Sequence, residues 1–242
     1  MEYILLLFIS FLSNLFSAFS GGGAGIIQLP AILLLYEISF PVALATHKIS
    51  TVLLGVGASI KFFEKNKPDK RILLEGLIVG LPAVMIGAFS IQFLPEDIAR
   101  KTLGILILGV FILSLIKTDN NVNKNLNPTI VYLLLFFIGF LNGSLSAGTG
   151  LLYTIMLTKL YNMSFKQAVG YTLLVVGLFY NLLGAIVLYL ISTIDITILP
   201  ILLVGSLMGG YIGAMIAISK SNLVIKAAYQ IVTIIVAYKL LF

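Results

Sequence analysis

Two glycine-rich stretches contain the residues with the clearest capacity for chemistry. The first reads Ser-Gly-Gly-Gly-Ala-Gly from Ser20 to Gly25, and the second reads Ser-Ala-Gly-Thr-Gly from Ser146 to Gly150. A short apolar run follows each stretch, which predicts a broken helix whose second piece begins at the glycines. The first backbone N–H groups of a helix have no intrahelical acceptor and carry partial positive charge. Such a terminus binds anions, and glycine lets a ligand approach the backbone closely.

Small polar side chains next to the glycines complete this predicted anion site without adding a permanent charge. We expect ligand contacts from Ser20, Gly21, Gly22, Gly23, Gly25 and Gln28 in the first half of the chain, and from Asn142, Ser146, Gly148, Thr149 and Gly150 in the second. Tight helix crossing is the alternative role for the glycines. Three successive glycines exceed what such a crossing requires, so the sequence favours two facing helix termini that bind one small oxyanion.

The polar stretch Thr46–His47–Lys48, near the start of another apolar segment, adds a candidate for a fixed charge. A lysine facing lipid at the centre of a membrane helix costs about 3 kcal/mol. We therefore expect Lys48 to face a cavity near the outer vestibule, or to extend to the outer interface. Thr46 and Lys48 join the predicted binding residues. His47 is the candidate for proton coupling, with a structural hydrogen bond as the alternative.

Composition places the chain in a membrane. The 242 residues are 60% hydrophobic and 10% charged, with a mean hydropathy of +1.14, whereas soluble proteins are about 25% charged. The absence of cysteine excludes disulfides and thiolate metal ligands, and we expect no metal or other cofactor. The net charge of +6 lies in short loops, where it reports membrane orientation rather than nucleic-acid binding. No enzyme motif or reactive cluster occurs, so we expect no catalysis.

Ten apolar segments, five in each half, can be read from the sequence. They are 3–19, 24–36, 41–62, 71–94, 98–116, 129–146, 150–161, 166–191, 196–219 and 222–242. A crossing helix needs about 20 residues, so the segments 24–36 and 150–161 are predicted to be half-helices. The chain then divides into a first transmembrane repeat at 1–117, a cytoplasmic linker at 118–128 and a second repeat at 129–242.

The two halves match at an offset of 125 residues, which places Gly23 and Gly25 on Gly148 and Gly150. A broken-helix hairpin that returns to its own side, followed by three spanning helices, makes an odd number of crossings. The second half is therefore predicted to be inverted, with both termini outside. This arrangement puts eleven of the fifteen Lys and Arg residues on the side of the basic loop at 61–71, which we assign to the cytoplasm.

Two other polar features are expected to be structural. Arg71 and Glu75 are spaced for an i,i+4 ion pair at the start of the fourth segment. Asn181, in the middle of 166–191, must find a partner at membrane depth, and we expect it to bond a neighbouring helix.

Several of these residues resemble the signature of the sulfite exporter TauE/SafE family, also called the TSUP transporters. The similar motifs are Gly21–Gly25 with Pro30, Ala43-x-Ala45-Thr46-His47-Lys48, Gly143, Gly148-Thr149-Gly150 and Ala168-Val169-Gly170-Tyr171-Thr172. The resemblance implies a transporter of the bacterial inner membrane that moves small sulfur-containing anions, such as sulfite or sulfonates, often outward. Members of the family commonly have Asn where this chain has His47.

The resulting prediction is an all-α polytopic membrane protein that works as a secondary transporter by alternating access. Its expected substrate is sulfite, thiosulfate or an organosulfonate, and its surroundings are the lipid bilayer. Two alternative functions stay open. A passive anion channel would use the same glycine breaks without coupling, and a membrane scaffold subunit would use the glycines for packing alone. The sequence is compatible with either a monomer or a homo-oligomer.

Overall fold

The structure is a computed structural model that describes residues 2–64, 67–115 and 128–221 together with Val224 and Ala227. The described residues form helices and loops, with no β-strand among them. In chain order the helices are α1 (Glu2–Ser20), α2 (Ala24–Leu35), α3 (Phe40–Phe62), α4 (Lys70–Ser90), α5 (Glu96–Leu115), α6 (Pro128–Leu145), α7 (Thr149–Leu160), α8 (Phe165–Thr172), α9 (Asn181–Ile191) and α10 (Leu199–Ser219). The predicted linker and the predicted last segment, 222–242, lie outside the described residues, apart from Pro128, Val224 and Ala227.

Two further helical stretches occur in the part of the chain that the structure describes. A 3₁₀ turn, Ile91–Phe93, extends α4, and a π-helical stretch, Leu173–Tyr180, joins α8 to α9 without a break. Within the described ranges, six helical spans are long and apolar enough to cross a membrane: Glu2–Ser20, Phe40–Phe62, Lys70–Phe93, Pro128–Leu145, Phe165–Ile191 and Leu199–Ser219. The predicted polytopic all-α membrane protein is therefore confirmed.

The helices α2 and α7 are the predicted short pieces, with 12 residues each. At 1.5 Å per residue each is about 18 Å long, which is well short of the roughly 30 Å hydrocarbon core. The helices before them, α1 and α6, have 19 and 18 residues and are long enough to cross unaided. Each half thus begins with a long helix, a glycine break and a half-length helix.

The two halves pack through reciprocal glycine contacts. Helix α1 packs along α10, and α6 packs along α4. A Cβ on Gly213 of α10 would lie 2.3 Å from the carbonyl oxygen of Leu15, and one on Gly143 of α6 would lie 2.2 Å from that of Val84. Without a hydrophobic effect between helices in lipid, such backbone proximity supplies van der Waals packing. The first helix of each half therefore contacts the fourth helix of the other half.

Helix α3 runs through the centre of this arrangement. It crosses the π-helical stretch at Gly55, where an added Cβ would lie 2.4 Å from the backbone nitrogen of Leu178. The loop at 192–198 contacts the first turns of α3, since the backbone N–H of Asp195 donates to Thr46 Oγ1 at 3.0 Å. The basic loop follows the other end of α3, about 34 Å away for 23 residues. The corresponding loops of the two halves thus lie at opposite ends of α3, while the inversion of the halves stays a prediction.

Candidate functional site

The two glycine breaks lie directly against each other. A Cβ on Gly25 would lie 2.6 Å from the carbonyl oxygen of Ser146, and one on Gly150 would lie 2.6 Å from that of Gly21. A Cβ on Gly22 would lie 2.9 Å from the backbone nitrogen of Leu151. Only glycine permits this separation, because real Cβ atoms do not approach backbone atoms so closely. The breaks of the two halves therefore form one backbone-lined site.

Both breaks have positive φ angles at equivalent positions. Gly21 and Ser146 have φ angles of 83° and 63°, and Gly23 and Gly148 have φ angles of 150° and 72°. Each pair is separated by the offset of 125 residues found in the sequence. A left-handed φ is costly for a residue with a Cβ, so Ser146 is held there by its surroundings. The shared conformation supports a common origin for the two breaks.

Neither short helix has a side-chain cap at its N-terminus. Gly23 and Gly148 occupy the N-cap positions of α2 and α7, and no side chain accepts a hydrogen bond there. The first N–H groups of both helices, on Ala24, Gly25, Thr149 and Gly150, belong to residues that line a common cavity. Partial positive charge from two helix termini thus borders one space.

The cavity has a volume of about 40 Å³, which exceeds the 10–15 Å³ that one water needs. Its walls come from both halves of the chain. The lining residues are Ser17, Gly21, Gly22, Gly23, Ala24, Gly25, His47, Thr51, Leu54, Asn142, Ser146, Gly148, Thr149, Gly150, Thr172, Leu173, Val176, Gly177 and Asn181. None of them is acidic, so the space suits a small anion.

Lys48 lies behind this wall rather than on it. Its side chain is fully buried, and its Nζ donates to Asn142 Oδ1 at 3.1 Å and to Asn181 Oδ1 at 3.3 Å. No carboxylate lies within ion-pair distance of Lys48 in the described residues. The interfacial position considered for Lys48 is therefore wrong, and its charge lies in the interior instead of in an outer vestibule. Gly184 of α9 makes room for it, since an added Cβ would lie 2.9 Å from Lys48 Cδ.

The two asparagines that bind Lys48 also line the cavity. Asn142 Nδ2 donates to Thr149 Oγ1 at 3.1 Å, which ties the end of α6 to the start of α7. Asn181 Nδ2 donates to Thr51 Oγ1 at 3.0 Å. The amides therefore hold the ammonium next to the α7 terminus, with their own hydrogen bonds satisfied. The sequence predicts that Asn181 bonds a neighbouring helix, and in the structure this helix is α3.

A second polar cluster surrounds Gln28 of α2. Its Oε1 lies 2.8 Å from His47 Nδ1 and 3.2 Å from Ser50 Oγ. Its Nε2 donates to Ser10 Oγ at 2.9 Å and to Ser206 Oγ at 3.4 Å. All of these residues are buried. Gln28 thus joins α1, α2, α3 and α10, and it reaches the cavity only through His47.

Ten of the predicted site residues line the cavity: Gly21, Gly22, Gly23, Gly25, His47, Asn142, Ser146, Gly148, Thr149 and Gly150. Ser20, Gln28, Thr46 and Lys48 are not among the lining residues. Ser20 Oγ lies 2.6 Å from the Phe16 carbonyl oxygen and 2.9 Å from that of Gly22, so its one hydrogen bonds within the first break. Thr46 Oγ1 donates to the Val42 carbonyl at 2.8 Å and accepts from Asp195, which places it at the end of α3 away from the cavity.

Some residues of the cavity wall were not predicted from the sequence. Thr51, Leu173, Val176 and Gly177 line the cavity without having been singled out. Thr51 lies one helical turn after His47, so its position could have been inferred. Residues 173–180 are apolar on all sides, and nothing in their pattern signals a π-helical turn, which often occurs at functional sites.

The Arg71–Glu75 pair predicted at the start of α4 is present on the surface, with Nε and Oε1 2.9 Å apart. Tyr161 donates to Glu75 Oε2 at 2.6 Å. Burial, together with this hydrogen bond, raises the pKa of the Tyr161 phenol above its ordinary value. These residues join α4 to α7 away from the cavity. No group of three or more His, Cys, Asp or Glu residues able to hold a metal occurs within the described ranges.

Comparison with known proteins gives a family and several relatives. The family model described as "Sulfite exporter TauE/SafE" matches residues 6–240. The probable membrane transporter protein YdhB of Bacillus subtilis is 27% identical, over 99% of this chain and all of the relative. The probable membrane transporter protein YfcA of Escherichia coli is 24% identical, over 98% of this chain and 88% of the relative. A probable membrane transporter protein of Haemophilus influenzae is 25% identical, over 97% of this chain and 92% of the relative. No solved structure matches.

Proposed function

Because the chain belongs to the sulfite exporter TauE/SafE family, we propose that this multi-pass membrane transporter exports a small sulfur-containing anion. Sulfite, thiosulfate and small organosulfonates are the candidate substrates. All of them are compact oxyanions that two helix N-termini and an ammonium group can bind. The binding site is the cavity where the two glycine breaks meet.

The observation that carries this proposal is the full burial of the Lys48 amine, with no carboxylate within ion-pair distance among the described residues. A buried ammonium group is costly unless a counter-ion or hydrogen bonds compensate it. Asn142 and Asn181 accept two hydrogen bonds from its three N–H donors, and neither amide neutralises a positive charge. Both amides line the cavity, so an anion there would lie close to Lys48 and neutralise it. Family membership supports a sulfur oxyanion or a sulfonate as that anion.

Alternating access is the proposed mechanism. Each half contributes one break to the cavity, so rocking of one inverted repeat against the other would change which side of the membrane reaches the anion. The glycine contacts between Gly25 and Ser146, and between Gly150 and Gly21, lie where such a movement would be centred. In this arrangement both termini lie outside the cell, and the basic loop lies in the cytoplasm. Protons are the candidate coupling ions, with His47 as the candidate residue.

Counterflow in proteoliposomes tests the proposal. Vesicles loaded with unlabelled sulfite are diluted into a trace of ³⁵S-sulfite, with protein-free vesicles as the control. A transporter gives saturable uptake that internal sulfite stimulates. Uptake that rises linearly with concentration and ignores internal sulfite would favour a passive channel. Uptake no faster than in protein-free vesicles, for every candidate anion, would favour a scaffold.

A further inference from the structure

His47 presents to the cavity a nitrogen that the anion site described above does not use. The residue lies on α3 beside Lys48, is 1% exposed and lines the cavity. Its Nδ1 is 2.8 Å from Gln28 Oε1. Its other ring nitrogen, Nε2, has no hydrogen-bond partner in the part of the chain that the structure describes. Nε2 donates or accepts a hydrogen bond according to which ring nitrogen carries the hydrogen.

The hydrogen bonds of Ser10 fix the orientation of the Gln28 amide. Ser10 Oγ lies 3.0 Å from the carbonyl oxygen of Leu202, and this contact uses its only hydrogen. The Gln28 group 2.9 Å from Ser10 Oγ must therefore be the donor, which is the NH₂ group. It follows that the amide oxygen, Oε1, faces His47.

The orientation of Gln28 in turn fixes the imidazole tautomer. An amide oxygen only accepts hydrogen bonds, so Nδ1 of His47 must carry the hydrogen shared with Oε1. In a neutral imidazole the second nitrogen then has a lone pair and no hydrogen. Nε2 of His47 is therefore an acceptor.

The surroundings of His47 favour the neutral ring. Lys48 is its neighbour on α3, and a second proton would place two cations side by side. Among the described residues, the side chains hydrogen-bonded to His47 or to its partner Gln28 are neutral: Ser10 of α1, Gln28 of α2, Ser50 and Thr51 of α3, and Ser206 of α10. No Asp or Glu lines the described cavity. A doubly protonated ring would thus lack a counter-charge.

We infer that His47 Nε2 accepts a hydrogen bond from the bound ligand, so that the site selects oxyanions that carry a donor hydrogen. This inference rests on the proposed function, because it takes the cavity to be an anion site. The N–H groups at the starts of α2 and α7 would bind the deprotonated oxygens, and His47 would recognise the single O–H or N–H. Hydrogensulfite fits this description, whereas sulfate and simple alkylsulfonates do not.

Selection of an anion that carries a donor hydrogen determines which charges and protons cross the membrane. Hydrogensulfite bound in this way crosses the membrane with its own proton. Each transported anion then moves one negative charge and one acid equivalent. His47 then takes part in proton coupling by recognising the protonated form of the anion, and its own ring stays neutral throughout.

Two sulfonate-like anions of equal charge and nearly equal shape provide a matched test. Sulfamate carries an NH₂ donor on sulfur, and methanesulfonate has a methyl group at the same place. Their affinities for the full-length purified protein are measured by titration calorimetry at one pH and ionic strength. The same titrations are done on His47→Asn, whose shorter amide can keep the hydrogen bond to Gln28 but has no atom at the Nε2 position. Thr46→Val is the control variant, since Thr46 is bonded away from the cavity.

One neutral hydrogen bond corresponds to about 5- to 10-fold in affinity. We expect the parent and Thr46→Val to prefer sulfamate by about that factor, and His47→Asn to bind the two anions equally while melting near the parent temperature. Equal binding of the pair by the parent overturns the inference, and so does a preference that survives in His47→Asn. A parent that binds neither member also overturns it. In that case sulfite, titrated alongside, separates the two claims, since only the failure of sulfite contradicts the proposed function as well.

Discussion

The ammonium group of Lys48 lies 3.1 Å from the amide oxygen of Asn142, although 94 residues separate them in the chain. Lys48 belongs to the first half and Asn142 to the second, at the last turn of α6 before the glycine break. The contact therefore links the buried charge to the helix terminus that begins at Thr149. Asn142, which lines the cavity, thus connects Lys48 behind the wall to the start of α7 through two hydrogen bonds.

Gly25→Ala should disrupt the contact between the two breaks. Its Cβ would lie 2.6 Å from the Ser146 carbonyl oxygen, and overpacking against backbone costs about 1–3 kcal/mol or more. We expect a lower melting temperature in detergent. Gly104→Ala is the matched control, because nothing lies within 4 Å of the added Cβ, and alanine is favoured over glycine in helices by about 1 kcal/mol. Equal melting temperatures for the two variants would contradict the contact.

Gly184→Ala should weaken anion binding without unfolding the protein. The added Cβ would meet Lys48 at Cδ, Cε and Nζ within 2.9 to 3.2 Å, so the flexible side chain must shift and its ammonium group must leave its place between the asparagines. We expect a melting temperature close to that of the parent and a weaker affinity for sulfite.

A double-mutant cycle checks that explanation. If Gly184→Ala acts through Lys48, it should have little further effect in a Lys48→Met background, because neighbouring residues are non-additive. Fully additive losses of affinity would show that Gly184 acts through another part of the site.

Ser146 offers a test of the backbone at the second break. Its φ of 63° is costly for a residue with a Cβ and worse for a β-branched one. We expect Ser146→Gly to be as stable as the parent, or more stable by up to about 1 kcal/mol, and Ser146→Val to be less stable. Equal melting temperatures for Ser146→Val and Ser146→Gly would mean that the left-handed conformation at this position is not required.

The inverted arrangement of the halves can be tested by cysteine labelling, since the natural sequence contains no cysteine. Lys70→Cys and Thr193→Cys place single thiols at exposed positions in the two corresponding loops. An impermeant maleimide applied to intact cells should label Thr193→Cys alone, and lysis should then expose Lys70→Cys. Labelling of both thiols from the same side would contradict the inversion.

Much of the fold follows from local sequence, whereas the site depends on long-range contacts. The apolar runs 24–36 and 150–161 predict α2 and α7 to within one residue at each end, because glycines and polar residues bound them. The burial of Lys48 does not follow from α3 itself. It depends on Asn142, Asn181 and the space left by Gly184, which come from two other helices. The π-helical turn after Thr172 packs against α3, and its residues have no sequence pattern that distinguishes them from an α-helix.

The most direct test of the central claim compares the parent with Lys48→Met in an anion-dependent thermal shift assay. Methionine has a similar volume without charge, so the variant should fold and melt near the parent temperature when no anion is present. A ligand that binds the folded state raises its stability, and a hydrogen bond or ion contact to a charged group is worth about 1.5–3 kcal/mol. We predict that sulfite raises the melting temperature of the parent and that Lys48→Met needs about 10- to 100-fold more sulfite for the same rise. Equal stabilisation of parent and variant would contradict an anion site beside Lys48.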